Sequence, residues 1–165
     1  NVTQKHAGYA VTGELAVGDQ RWDLAGTGWS DWTAGRQDRR TSWRWAAGGG
    51  TSPEHGRVGL NVSTGMNGAG PGEDVVWWDG VPHPLDVTRL APRTSDARGP
   101  WRVEGPGWEL TFVPRAVRAA DENLLVVRSR YVQPIGEFEG TLPCPDGSAA
   151  NVRLVGVTEA HHARW

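Results

Sequence analysis

Residues 8–17, GYAVTGELAV, place Tyr9, Val11, Leu15 and Val17 on one side of an extended chain, with Thr12 and Glu14 on the other. A period of two belongs to a strand with one face buried and one face wet. The following GDQ, residues 18–20, reads as a hairpin turn into RWDLAGTGWSDW, where Trp22 and Leu24 alternate with Arg21 and Asp23. Glycines 26 and 28 suggest a bulge or bend, so counting does not fix which way Trp29, Asp31 and Trp32 face.

The same rhythm recurs along the chain. Strands are expected near 40–47, 57–63, 74–79, 84–90, 101–104, 108–114, 123–133, 138–142 and 151–159, each bounded by Gly, Pro or Asp. No stretch holds a helical period, and 23 Gly with 11 Pro would break helices while supplying turns. The expected fold class is all-β, an antiparallel up-and-down barrel of about ten strands with little helix. The glycine clusters AAGGGTS and NGAGPG read as turns, and the loop STGMNGAGPGE, 63–73, as a lid or rim.

With 165 residues, the chain has length for one domain with a real core. Its net charge of −2 carries no long run of one sign, which argues against nucleic acid as a partner. Of 17 basic residues only Lys5 is lysine. The single Cys144, in LPCPDG, excludes a disulfide framework within the chain. No apolar run reaches the length of a membrane span and no leader pattern opens the chain, so a cytoplasmic setting is expected. Because the chain opens on Asn1 and enters patterned sequence at once, it reads as a processed product or the later part of a longer protein.

The order of TQKHAG, RRTSWRWAAGGG, VGLNVS, EDVVWWDG, PW before LTFVP, NLLVVRSRYVQPIGEFEGTL and GVTEAHHARW resembles the C-terminal half of bacterial domain-of-unknown-function family 2804. The resemblance covers nearly the whole chain. It implies one lipocalin-like barrel over residues 1–165, distantly similar to carotenoid 1,2-hydratases, AttH-type two-barrel proteins and cyclases acting on apolar chains. It also implies a partner, either an N-terminal barrel half or a second chain.

Ten Trp against two Phe and two Tyr supply large flat surfaces. Trp43 and Trp45 share a strand face, with Ser42 and Arg44 on the other. Pointing into the barrel, the two indoles either wall an apolar ligand cavity or fill the interior. Asp31 and Arg40 bracket a turn, DWTAGRQDRR, and read as a carboxylate and guanidinium that either close a hairpin or orient a substrate group. The resemblance keeps both as site residues, because they match positions in the family motif.

Asn61 lies opposite Val58, Leu60 and Val62 and offers an amide to a ligand or to the backbone; its N-x-S sequon, like the one at Asn1, reads as coincidence. In GEDVVWWDG, Glu73 is a candidate acid or base beside Trp77 or Trp78, while Asp79 and Gly80 read as a hairpin turn. In VGVTEAHHARW, Val155, Val157, Glu159 and His161 share a face; inward valines would carry an acid–base pair inward, with His162 opposite. A zinc site built from Glu159, His161 and His83 or His55 lacks recognisable ligand spacing, so no metal is expected. Without a strand–glycine–helix element or a placed nucleophile, neither a nucleotide cofactor nor nucleophilic catalysis is expected.

The leading expectation is therefore cofactor-independent hydration, isomerisation or cyclisation of an apolar terpenoid- or polyketide-like molecule. Glu159, Glu73, His161 and Asp31 are the candidate catalytic groups, and Trp43, Trp45, Trp78, Asn61, Arg40 and His162 the candidate ligand contacts. A lipid or pigment carrier, or a structural half-protein with Trp patches at an interface, is the alternative.

Overall fold

A computed structural model describes residues 2–36, 38–65 and 73–165. Among these the chain forms β1 (Val2–Val17), β2 (Gln20–Ala34), β3 (Arg40–Ser52), β4 (Gly56–Thr64), β5 (Val75–Trp78) and β6 (Val81–Pro84). It continues with β7 (Arg89–Pro92), β8 (Trp101–Gly105), β9 (Trp108–Leu124), β10 (Val127–Pro143) and β11 (Ala149–Arg164). No helix among the described residues is long and apolar enough to cross a membrane.

Strands β3 to β11 pair antiparallel in chain order except between β6 and β7, and β11 returns to pair with β3. The result is an up-and-down sheet curled into an incompletely closed barrel, as the alternation leads one to expect. Segment 85–88 crosses the one unpaired seam, held by Leu85 N–H to Asp74 O and Thr88 N–H to Glu104 O, both 2.8 Å. This crossing divides the single strand expected at 84–90 into β6 and β7.

The inner face is filled. Ala46, Leu60, Trp78, Trp101, Leu110, Phe112, Phe138 and Leu154 belong to one buried cluster, with Phe112 and Phe138 ring centroids 4.7 Å apart. Burying such large side chains stabilises by roughly 1.5–3 kcal/mol each, and it leaves the barrel interior as packed core.

Four expectations are corrected here. The AAGGG segment is not a turn but the middle of β3, where Gly48 pairs with Gly156 and Gly156 with Gly136. A Cβ on Gly156 would lie 2.1 Å from Ala47 O and one on Gly136 2.1 Å from Val113 O, so this glycine row lets neighbouring strands coil closely. The separate strands expected at 108–114, 123–133 and 138–142 are one long hairpin, β9–β10, turning at Leu125 (φ 64°) with no glycine to mark the turn. The strand expected at 40–47 runs on to Ser52, and the one at 151–159 runs from Ala149 to Arg164. Residues 66–72 of the expected lid, and the Asn1 sequon, lie outside the described residues.

The fourth correction concerns β1–β2, a separate two-stranded sheet turning at Gly18–Asp19. Gly8 (φ 79°) makes a bulge that shifts the register between Ala7 and Tyr9. One extra residue sends every later side chain to the opposite face. Lys5, Ala7, Trp29 and Asp31 therefore share one face, whereas Tyr9, Val11, Leu15, Trp22 and Leu24 share the other and are not half-buried in a core. Leu15 is 47% exposed and Trp22 44%.

Candidate functional site

Because Ala46, Leu60 and Leu154 point into the core, alternation sends Trp43 and Trp45, Asn61, and Glu159 and His161 to the outer face of the curled sheet. Trp43 and Trp45 thus do not point into the barrel, and Val155 and Val157 do not carry Glu159 inward. Val155 is 58% exposed. The shared faces read from the sequence hold, but the face is the opposite one.

The β1–β2 hairpin covers part of this outer face, and glycines let it approach. A Cβ on Gly59 would lie 2.3 Å from Ala7 C, and one on Gly49 2.4 Å from Thr27 Oγ1. Such backbone contact brings the bulged strand down over β3 and β4. Between hairpin and sheet lies a cleft of about 300 Å³ lined by Lys5, Asp31, Trp43, Trp45, Ser63, Glu73 and Glu159.

Glu159 is held in the cleft from two sides. Its Oε1 accepts from Trp43 Nε1–H at 2.9 Å and its Oε2 from Gln133 Nε2–H at 2.8 Å. His161 Nδ1 lies 3.5 Å from Oε1, and the side chains of His161 and Glu159 are 15% and 13% exposed. His161 Nε2 is 2.9 Å from Ser129 Oγ, and its ring lies 4.0 Å from Trp43 and 5.6 Å from Tyr131. The imidazole is thereby locked behind the carboxylate. A carboxylate at the cleft wall backed by an oriented histidine can exchange a proton with a bound molecule and with its own neighbour.

The opposite wall runs from Trp45 Nε1–H to Asn61 Oδ1 (2.9 Å), then from Asn61 Nδ2–H to Glu73 O (2.7 Å). Ser63 Oγ–H donates to Glu73 Oε2 at 2.8 Å, and Ser63 N–H to Asp74 Oδ1 at 2.7 Å. Burial raises the pKa of Asp74, the Ser63 backbone hydrogen bond opposes that rise, and the charges of Glu73 and Asp86 add to it.

Seven of the ten residues singled out from sequence meet here: Asp31, Trp43, Trp45, Asn61, Glu73, Glu159 and His161. Three do not. Trp78 is on the inner face, its Nε1–H donating to Pro143 O at 3.1 Å. Arg40 begins β3 opposite Arg164, and His162 faces inward with Ser42. Asp31 pairs with Lys5 rather than Arg40, because Lys5 is its register partner across the hairpin. His55 rests edge-on to Trp78, and among the described residues no group of three or more His, Cys, Asp or Glu is arranged to hold a metal ion.

No motif or spacing along the chain singles out Gln133, Ser129, Ser63 or Tyr131. Lys5 did carry a signal as the chain's one lysine, and its side chain is 8% exposed.

A family model described as a domain of unknown function, DUF2804, matches residues 1–165. No curated protein and no solved structure matches the chain.

Proposed function

We propose that this chain, which belongs to the DUF2804 family, binds an apolar small molecule in the cleft under the β1–β2 hairpin and performs cofactor-independent proton chemistry on it. The reaction class is hydration, isomerisation or cyclisation of a terpenoid- or polyketide-like chain. The observation that carries this reading is Glu159, held by two donors at the cleft wall with His161 behind it. Glu159 gives or takes the proton at a ligand carbon, and His161 relays its replacement. The indoles of Trp43 and Trp45 flank the ligand and favour positive charge developing on it, assisted by the carboxylates of Asp31 and Glu73.

The test is incubation in heavy water with a prenyl alcohol and with an enolisable apolar ketone, followed by mass spectrometry. Solvent deuterium enters the carbon framework with the wild type. With Glu159→Gln the rate falls by about 10²–10⁴, the usual worth of a positioned acid or base. Saturable binding without deuterium uptake would instead support a carrier.

A structural role beside a further barrel half or a second chain is the other reading, favoured by one observation. Leu15, Val17, Trp22 and Leu24 form an exposed apolar face on the hairpin, between 41% and 62% exposed.

A further inference from the structure

On the inner face, beyond the packed core, the far ends of β3, β11 and β10 carry a second constellation. Arg40 pairs with Arg164 and Arg164 with Arg128, so three guanidinium side chains stand directly opposite one another across three strands. The next inner rung is Ser42, His162 and Arg130. Together these two rungs line a cleft of about 390 Å³.

Like charges directly opposite across an antiparallel pair destabilise it. Among the described residues the counter-charge is Asp121 alone, which pairs with Arg128 at 2.9 Å and approaches Arg130 at 3.9 Å. Four arginines against one carboxylate leave a formal excess of three positive charges. His162 Nδ1 is tied to Ser42 Oγ at 2.9 Å, and Arg164 Nη2–H donates to Leu125 O. Arg164 Nε is buried and has no partner among the described residues. A buried donor without an acceptor, inside a ladder of like charges, is a site that an oxyanion completes.

We infer that this inner-face cleft binds a phosphate or diphosphate group. Guanidinium forks match its oxygens two at a time, and a diphosphate carries enough charge to offset the excess. A net charge of −2 with no long run of one sign fits a compact anion better than a long polyanion. The site lies on the opposite face of the same strands from Glu159 and does not depend on the acid–base reading. The turn closing β9–β10 is apolar and open, with Leu124 71%, Leu125 89% and Val126 68% exposed. The phosphate group is therefore either free in solution or borne by a lipid whose apolar part meets this turn.

Inorganic pyrophosphate is titrated into the whole chain by calorimetry, alongside cosedimentation with phosphatidylcholine vesicles containing or lacking phosphatidic acid. Saturable pyrophosphate binding is expected, weakened about tenfold or more in Arg40→Gln and in Arg130→Gln, since a hydrogen bond to a charged group is worth at least that factor. Arg21→Gln, at the far tip of β1–β2, binds as wild type. Thermal midpoints in the absence of pyrophosphate check folding: the two cleft variants match or exceed wild type, because each removes a repelling charge.

Pyrophosphate binding without cosedimentation identifies a free phosphate group. Cosedimentation that requires phosphatidic acid, is competed by pyrophosphate and falls in Leu125→Asn identifies a lipid headgroup. The inference is overturned if the folded wild type binds neither probe, or if the two cleft variants bind like wild type. It is likewise overturned if only an oligonucleotide binds, with affinity growing with its length.

Discussion

Replacing Gly59 by alanine tests how the outer cleft is made. The added Cβ would sit 2.3 Å from Ala7 C, 2.4 Å from Ala7 O and 2.5 Å from Gly8 N. All three are backbone atoms, so no rotamer change relieves the clash, and the hairpin must retreat by about 1 Å to restore ordinary contact. Overpacking of this kind costs about 1–3 kcal/mol, and the rigid neighbours put Gly59→Ala near the upper end. A cost of about 3 kcal/mol lowers the docked-to-undocked ratio roughly a hundredfold. None of the residues in the buried core cluster comes from β1 or β2, so the barrel keeps its core when the hairpin lifts. A lone two-stranded hairpin is marginal in water, so its own strand pairing frays once undocked. Hydrogen exchange followed by mass spectrometry reads this directly. Amide protection in 2–12 and 26–34 falls about a hundredfold, while 108–114 and 150–158 keep theirs. Unchanged hairpin protection, or an equal loss over the whole chain, would refute the reasoning.

Thr158→Val removes a fully buried hydroxyl whose Oγ1 has no partner among the described residues, in a side chain of nearly the same shape. It raises stability by about 1–3 kcal/mol in denaturant unfolding, the cost of an unsatisfied buried polar group. Asp74→Asn separates the pH dependence of the cleft rim. Because the folded-state pKa of Asp74 is raised, mainly by burial, wild type has its full relative stability below the ordinary value of 3.8. It loses stability as pH rises through the raised value. The variant therefore matches wild type at the acid end, gains on it as pH rises from 3.8 through the raised value, and keeps that lead above it, as urea midpoints across a pH series will show.

The strand pattern was legible where Gly and Asp marked real turns, as at Gly18–Asp19 and Asp79–Gly80. It failed at Leu124–Val127, where an apolar run turns through a left-handed leucine, and at AAGGG, where glycines serve close strand approach instead of a turn. The sharing of faces was equally legible, since period two puts Glu159 with His161 and Trp43 with Trp45 whatever the fold. Which face is inside was not legible, because alternation does not tell inside from outside and the bulk of the indoles suggests an inward face, as cavity wall or as filling. In the fold, Val58, Leu60 and Val62 fill the interior, while Trp43 and Trp45 use their N–H groups to hold Glu159 and Asn61 outside it. The Gly8 bulge inverted the hairpin for a related reason: alternation continues through it while the facing changes. Long-range partners such as Gln133 for Glu159 and Lys5 for Asp31 follow from strand register, which local pattern does not encode.

Intrinsic tryptophan fluorescence titrated with a prenyl alcohol addresses the central claim, that the outer cleft and not the barrel interior receives the ligand. It is run on the wild type, Trp43→Phe, Trp45→Phe and Trp32→Phe; Trp32 is 56% exposed. The account predicts saturable quenching that weakens in the first two variants and persists in Trp32→Phe. No saturable quenching of the folded wild type, or quenching untouched by loss of either Trp43 or Trp45, would contradict it.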